Sequence, residues 1–319
     1  MVARNTSPRH PLIELRRLHR FFGKLRAVDD ISFEVYAGQV FGYIGPNGAG
    51  KTTSMRILAT LDDPTAGDAL IDGFSVVDDP DRVRRRLGFM PDYFGTYQNV
   101  NVKEYLDFFA RAYGLVGAER IKAVEYAMEF TLLDSLAEKP INGLSKGMKQ
   151  RLCLGRTMVH DPSVMILDEP AAGLDPRARI ELREMIARLA AAGKAVLISS
   201  HILTELAEIC HIVGIIEQGR LLATGSVEEI SSRAHVRSTV RVRVLGGADR
   251  LARWLEERGD VDSIRTDGEL ALFMHDGDRA SEAALLREVV NNGFEVVEFG
   301  AKASNLEDVF LQVTRGRVQ

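Results

Sequence analysis

The stretch Gly45-Pro46-Asn47-Gly48-Ala49-Gly50-Lys51-Thr52-Thr53 is the most informative part of this 319-residue chain. It fits the pattern G-x-x-x-x-G-K-S/T, which defines the P-loop. Residues 40–44 before it form a continuous apolar run rich in β-branched and aromatic side chains, which predicts a buried strand. Residues 54–59 after it contain helix-forming residues and no breaker. A strand, a glycine loop and a helix therefore follow one another, as the motif requires.

This loop has the chemistry of a phosphate-binding site. Glycines let the backbone wrap closely around phosphates, and the N-terminus of the following helix adds roughly half a positive charge. Lys51 places an ammonium group on the β- and γ-phosphates, and the Thr52 hydroxyl is an oxygen ligand suited to Mg²⁺. The alternative is a glycine-rich turn with a chance lysine, and the flanking strand and helix argue against it.

Composition limits the class of protein. The length allows about two domains, and the net charge of −4 argues against a general nucleic-acid surface. No apolar run approaches the ~18 residues that a membrane span needs. Residues 1–11 lack an apolar core segment, so we expect a flexible N-terminal tail rather than a signal peptide, and a cytoplasmic location.

Strand and helix patterns predict an α/β domain over residues 12–232, with a helical insert over about 101–160 and a mostly parallel sheet. Residues 233–319 follow the order strand-helix-strand-strand-helix-strand, which predicts a small ferredoxin-like accessory or regulatory domain. A last helix is predicted over residues 304–313. In the helical insert we expect the apolar positions to form a core.

Two adjacent carboxylates follow the buried apolar run 164–167. Parallel strands deliver the residues after their carboxyl ends to one edge of the sheet, so Asp168 and Glu169 should lie beside the P-loop. We expect Asp168 to hold Mg²⁺, through water, and Glu169 to polarise the attacking water. The alternative is a pair of helix-capping acids.

Three further positions are ambiguous when each is taken alone. Ser145 can cap a helix and Gly147 can leave its amide open to an anion, yet this is also an ordinary helix start. His201 follows a strand and can donate to a phosphate, although it could be a simple loop residue. Phe22 lies upstream of the P-loop, where base stacking and burial in the core are equally plausible.

Taken together, these segments resemble the nucleotide-binding subunit of an ABC transporter over residues 12–230. The matching segments are residues 45–53 for Walker A, 144–150 for the signature motif, 165–169 for Walker B, 173–175 with Asp175 for the D-loop, His201 for the switch histidine and Phe22 for the adenine-stacking aromatic. The resemblance implies a P-loop NTPase fold, binding of ATP and Mg²⁺ by these residues, and ATP hydrolysis.

The sequence departs from the family pattern at two places. Asp92 stands where the family usually has the Q-loop glutamine, and its shorter reach makes a water-mediated Mg²⁺ contact the expectation. Lys146 and Met148 replace glycine and glutamine of the usual LSGGQ signature. Ser145 and Gly147 remain, and the resemblance implies that these two contact phosphate, so we expect an active site.

The resemblance also implies partners. Two cassettes, identical or closely related, would enclose two ATP molecules head to tail, and Ser145 and Gly147 of one copy would complete the site formed by Lys51, Glu169 and His201 of the other. We expect a separate membrane permease that docks on residues 93–100 and the insert helices. The tail from Ser304 to Phe310 is similar to ABC-2-type exporter ATPases, which favours export and a place on the inner face of the cell membrane. The alternative is an ABC ATPase that acts on ribosomes or DNA without a permease.

Overall fold

The computed structural model describes residues 10–93, 95, 99–200, 209–227, 229–230, 238–275, 277 and 279–302. It divides into two compact units, Met1–Ser226 and Val227–Gln319. The boundary predicted between residues 232 and 233 lies within 231–237, which are outside the described residues. Among the described helices, none combines the length and the apolar character needed to cross a membrane.

The first unit alternates strands and helices along the chain. Its strands are β1 Ile13–Phe22, β2 Leu25–Val35, β3 Val40–Ile44, β4 Ala66–Ile71, β5 Phe74–Ser75, β6 Leu87–Met90, β7 Val164–Leu167, β8 Ala195–Ser200, β9 Ile212–Glu217 and β10 Arg220–Gly225. Its helices are α1 Lys51–Leu58, α2 Pro80–Arg86, α3 Val102–Ala112, α4 Gly117–Phe130, α5 Lys146–Met158 and α6 Pro176–Ala191. The predicted α/β class is confirmed.

The main sheet has the strand order β10-β9-β3-β8-β7-β6, and all its pairings are parallel except that of β10 with β9. Every residue of β3, β7 and β8 is buried, as expected for apolar strands covered on both faces. The carboxyl ends of these three neighbouring strands meet at one edge. That edge carries the P-loop after β3 and the acid pair after β7.

A second, antiparallel sheet with the order β2-β1-β4-β5 shares a core with the main sheet. The rings of Phe33 on β2 and Phe41 on β3 stack with centroids 4.5 Å apart. Strand β1 is irregular, with register shifts after Leu15 and a left-handed φ of 46° at Arg17. These irregularities explain why the sequence of β1 alternates only weakly between apolar and polar residues.

Helices α3, α4 and α5 form the predicted helical insert and pack around their own core. Helix α3 begins with a reciprocal capping box, in which the Asn101 side chain accepts from the Glu104 N–H and the Glu104 carboxylate accepts from the Asn101 N–H. Leu106 on α3 and Leu152 on α5 are fully buried in this core. The insert thus places the start of α5, which carries the predicted signature residues.

The second unit contains β11 Ser238–Val244, α7 Asp249–Glu256, β12 Val261–Asp267, β13 Leu270–His275, α8 Arg279–Asn291 and β14 Val296–Lys302. Its strands pair antiparallel in the order β12-β13-β11-β14. Apolar side chains of the sheet and both helices, such as Val242, Leu251 and Phe273, form its core. The predicted order of elements is present, and the ferredoxin-like assignment stays a prediction. The helix predicted over residues 304–313 lies outside the described residues.

Candidate active site

The P-loop joins β3 to α1 and leaves the first turn of that helix open. Gly50 precedes α1 without a side-chain cap, and the first turn of the helix contains no acidic residue. Gly50 adopts φ +105°, and a Cβ atom there would lie 2.2 Å from the carbonyl oxygen of Ala27. A glycine is therefore required where the loop approaches β2. The uncapped N–H groups of α1 form a site suited to an anion.

Lys51 is a buried cation at the start of this helix. Its ammonium nitrogen donates hydrogen bonds to the carbonyl oxygens of Gly45 at 2.6 Å and Pro46 at 3.2 Å. It also lies 3.8 Å from Oε1 of Glu169. Burial lowers the pKa of Lys51, while the carboxylates of Glu169 and Asp168 act in the opposite direction. The ammonium group is thus placed where additional negative charge would stabilise it.

The acid pair is oriented by a serine from the neighbouring strand. The Ser199 hydroxyl donates to Oδ1 of Asp168 at 2.5 Å and accepts the N–H of Glu169 at 2.9 Å. Glu169 adopts φ +48°, an uncommon conformation for a non-glycine residue. Such strain costs on the order of 1–3 kcal/mol and is typical of functional positions. Ser199 therefore fixes both acids at the carboxyl edge of the sheet.

Asp168 has the properties of a cation ligand. Its side chain is buried, and its Oδ2 atom has no hydrogen-bond partner among the residues that the structure describes. Burial raises the pKa of Asp168, and the nearby hydroxyls of Ser199 and Thr52 lower it in part. The described residues contain no cluster of three or more His, Cys, Asp or Glu side chains suited to a metal. Mg²⁺ needs none, since it is usually bound by one or two carboxylates together with substrate phosphates.

These residues border an open cleft of about 800 Å³, which we call the P-loop cleft. The structure brings together most of the predicted site residues at its wall, namely Phe22, residues 47–53, Asp92 and Glu169. The negative charge of Asp92 acts on Asp168, because it helps to raise the pKa of that carboxyl group. Its Oδ1 atom accepts the N–H of Tyr93 at 2.8 Å.

Phe22 lies at the mouth of the P-loop cleft rather than in the core. Its side chain is 47% exposed, so the alternative that Phe22 is a core residue is wrong. The Arg20 guanidinium carbon lies 4.5 Å from the centroid of the Phe22 ring. Base stacking on this ring stays a prediction.

Ser145, Gly147 and Asp175 form a separate group that does not line the P-loop cleft among the described residues. Ser145 caps α5 by accepting the N–H of Met148 at 3.3 Å, and Asp175 caps α6 by accepting the N–H of Ala178 at 2.9 Å. A Cβ atom at Gly147 would lie 3.1 Å from that of Ala178, so the two helix starts adjoin. Asp175 has a clear structural role as a cap, whether or not it contacts nucleotide.

Two predicted segments fall at least partly outside the described residues. His201 lies there, so its predicted role stays a prediction. Of the proposed docking segment 93–100, residues 94 and 96–98 also lie outside, while Tyr93 is 81% exposed.

Parts of the cleft wall are not predicted by the sequence motifs. Leu25, Arg26 and Ala27 of β2 and Gln218 of the β9–β10 turn line the P-loop cleft. Ser199 is not among the site residues predicted from the sequence. Its position at the carboxyl end of β8, next to β7, is the signal that could have identified it.

The chain is similar in sequence to known proteins. The family profile described as "ABC transporter" matches residues 28–172. The Nod factor export ATP-binding protein I of Ralstonia nicotianae is 34% identical over 307 residues, which cover 95% of this chain and 94% of that protein. The protein of the same name from Paraburkholderia xenovorans is 34% identical over 309 residues, which cover 96% of this chain and 98% of that protein.

Solved structures agree with these matches. An ATP-binding subunit of an ABC transporter superposes with a TM-score of 0.64 and 31% identity, covering 70% of this chain and 92% of that chain. The structure of cbiO1 from Clostridium perfringens, part of the ABC transporter complex cbiONQ, superposes with a TM-score of 0.63 and 25% identity, covering 70% and 91%. The chain belongs to the family of ABC transporter ATP-binding subunits, which bind and hydrolyse ATP.

Proposed function

We propose that the P-loop cleft binds ATP together with Mg²⁺ and that Glu169 is the catalytic base of hydrolysis. One observation carries this assignment: Lys51 and Glu169, which come from distant motifs, face each other across 3.8 Å at the cleft. The phosphate-binding cation and the water-activating carboxylate are thus close enough to act on one phosphate group.

Each residue has a definite task in this proposal. The uncapped N–H groups of α1 and the Lys51 ammonium bind the phosphates, and Lys51 would exchange its bonds to loop carbonyls for bonds to phosphate oxygens. The Glu169 carboxylate orients and polarises the attacking water. Asp168, with the Thr52 hydroxyl and Asp92, would hold Mg²⁺, which neutralises phosphate charge. By resemblance, His201 would donate to the γ-phosphate.

The separation of the signature residues from the cleft supports a composite site. Ser145 and Gly147 begin α5, whose positive N-terminal end favours an anion, yet they do not line the P-loop cleft of their own chain in the described part. We infer that they complete the P-loop cleft of a second cassette, which is a second copy or a close paralogue. ATP would then favour the closed dimer and hydrolysis would release it.

A mixing experiment tests the composite site. Lys51→Ala removes the phosphate cation of one chain, and Ser145→Glu places a repelling carboxylate at the signature of the other. Each variant alone should be inactive, while an equimolar mixture should recover about a quarter of the wild-type rate. This recovery is expected because half of the dimers are mixed and each mixed dimer retains one of two intact sites. No recovery on mixing would contradict a head-to-tail homodimer.

We further propose that the chain powers export through a separate permease at the inner face of the cell membrane. The similar relatives are named export ATP-binding proteins, and the matches span almost the full length of both chains. This relationship supports export over import.

Tagged full-length chain purified from detergent-solubilised membranes tests this proposal. A stoichiometric polytopic membrane protein, identified by mass spectrometry, is the expected partner. Recovery of ribosomal proteins or nucleic acid without any membrane protein would contradict the transport function and favour the permease-free alternative.

A further inference from the structure

The Phe22 ring, which lines the P-loop cleft, is in contact with an arginine that belongs to an ion pair. Arg20 and Phe22 lie two residues apart on β1, and their side chains are in contact. The Arg20 guanidinium covers the Phe22 ring, with its central carbon 4.5 Å from the ring centroid. Among the described residues that line the cleft, Phe22 is present and Arg20 is not. The guanidinium therefore contacts the ring from outside the cleft.

Asp62 fixes the position of that guanidinium. A terminal nitrogen of Arg20 lies 2.6 Å from Oδ1 of Asp62. The side chains of Arg20 and Asp62 are only 24% and 19% exposed, so the pair is better shielded from water than a typical surface pair. An arginine held on an aromatic face in this way restricts the orientations available to the ring.

The chain reaches Asp62 from the phosphate site through a rigid connection. Helix α1 begins at Lys51 and ends in a Schellman motif, in which the N–H of Leu61 donates to the carbonyl of Arg56 and the N–H of Thr60 donates to that of Ile57. Thr60 adopts the left-handed φ of 56° that this motif requires. The direction in which the chain leaves α1 is therefore fixed one residue before Asp62.

The residues after Asp62 are also bonded to β1. The N–H of Thr65 donates to the carbonyl of His19 at 2.7 Å, and the Thr65 hydroxyl accepts the N–H of Phe21 at 2.9 Å. These two bonds lie on either side of Arg20 in the strand. Hydrogen bonds thus connect the segment after α1 to β1, the strand that carries the Phe22 ring.

We propose that Arg20 and Asp62 are positioning residues that hold the Phe22 ring as the platform for the nucleotide base. This inference rests on the proposed function, because it requires that the base of ATP stacks on Phe22. The base would occupy the cleft side of the ring while the guanidinium covers the opposite side. Because Asp62 follows α1, the pair sets the distance between the base platform and the phosphate loop.

Binding measurements on the full-length chain test the proposal with two probes. ATP carries both base and phosphates, and inorganic tripolyphosphate carries phosphates alone; each is titrated calorimetrically in the presence of Mg²⁺. Phe22→Ala should weaken ATP binding by about fivefold or more, since base stacking on an aromatic ring is worth about 1–3 kcal/mol. Arg20→Ala and Asp62→Asn should weaken ATP binding by roughly threefold to tenfold and leave tripolyphosphate binding unchanged.

A double-mutant cycle distinguishes an effect of Arg20 on the Phe22 ring from a general loss of structure. If Arg20 acts only through the ring, Arg20→Ala adds less than about a twofold loss when Phe22 is already alanine. In hydrolysis assays the single variants should raise KM and leave kcat unchanged. Arg86→Ala is the matched control, because Arg86 also pairs with an aspartate, Asp72, and covers the Phe74 ring at 4.3 Å outside the cleft.

The outcomes distinguish the inference from the proposed function. Wild-type ATP affinity of Arg20→Ala, an equal loss of tripolyphosphate binding, or full additivity with Phe22→Ala would each overturn the positioning role. If Phe22→Ala itself binds ATP normally, the base platform is elsewhere and the inference fails with it. In that case, loss of both probes in Lys51→Ala would still support the phosphate site.

Discussion

The backbone N–H of Gly219 donates a hydrogen bond of 2.9 Å to the carbonyl oxygen of Ala49. The carbonyl of Gly219 in turn accepts the N–H of Asp29 at 2.8 Å. The Asp29 carboxylate also accepts two hydrogen bonds from Arg220, which hold the pKa of Asp29 below its usual value. The β9–β10 turn therefore ties the P-loop to β2.

Gly219→Ala should disturb the hydrogen bond between the β9–β10 turn and the P-loop and weaken ATP binding. Gly219 adopts φ +78°, and a Cβ atom there would lie 2.8 Å from the carbonyl oxygen of Arg26. Because that oxygen belongs to the backbone of β2, the turn must shift away from β2, which disturbs its hydrogen bond to the P-loop. We expect a loss of ATP affinity of about fivefold and a fall of ~2 kcal/mol in the free energy of unfolding. Calorimetric ATP titration and denaturant unfolding measure the two effects.

Gly193→Ala is the control for the backbone effect alone. Gly193 adopts φ +89° after α6, and a Cβ atom there would have no neighbour within 4 Å in the described part of the chain. This variant should lose some stability and bind ATP normally. Equal losses of ATP affinity in both variants would contradict a specific role of the Gly219 contact.

Asp92→Asn should weaken the binding of Mg²⁺ at the P-loop cleft. The Asp92 carboxylate lies in the wall of the P-loop cleft and its negative charge is felt at Asp168. Removing that charge lowers the local attraction for a divalent cation. We expect the Mg²⁺ concentration for half-maximal hydrolysis to rise by several fold. Asp63→Asn, an exposed aspartate outside the cleft wall, should leave that concentration unchanged.

The local signals in the sequence predicted the centre of the site. The P-loop and the acid pair are each a continuous stretch of sequence, and an apolar run before each one identifies its strand. Short patterns are therefore enough to place both motifs after buried strands of the sheet. Asp175 could also have been identified as a cap, because an aspartate followed by Pro176 is the usual start of a helix.

Contacts between distant segments could not be predicted in the same way. Ser199 donates to Asp168, 31 residues away along the chain, and Gly219 after β9 bonds to Ala49 after the neighbouring strand β3. No local pattern marks either pair, because each depends on which strands become neighbours. The exposure of Phe22 does not follow from the sequence for a related reason: it depends on the register of β1, and that strand is irregular.

His160 makes the stability of the first unit sensitive to acid. Its ring stacks on Tyr113 with centroids 3.5 Å apart, and its Nε2 pairs with the carbonyl of Leu87 at 3.1 Å. Burial lowers the pKa of His160 to about 4, and no described residue accepts a hydrogen bond from its Nδ1 atom. The folded chain therefore keeps a neutral ring where the unfolded chain would be protonated.

The contribution of His160 to the free energy of unfolding should be fully present above pH 6.5. It should decrease as the pH falls towards 4, because the unfolded state then binds more protons than the folded state. The contribution of His160 between pH 8 and pH 5 is at most about 2 kcal/mol. His160→Gln keeps an N–H donor for Leu87 and does not titrate. The midpoint temperature of thermal unfolding should fall less between pH 8 and pH 5 in the variant than in the wild type. Equal falls in the two proteins would rule out His160 as the cause.

Glu169→Gln tests the assignment of the base. Glutamine keeps the size of the side chain and removes its ability to take a proton, so the variant should bind ATP and lose turnover. Glu184→Gln on the exposed face of α6 is the control, and it should hydrolyse ATP at the wild-type rate.

The most direct measurement is the steady-state rate of phosphate release by Glu169→Gln at saturating ATP, with bound ATP determined in the same sample. We predict stoichiometric ATP and a rate at least ~10²-fold below wild type. Phosphate release at the wild-type rate would contradict the assignment of Glu169 as the catalytic base opposite Lys51.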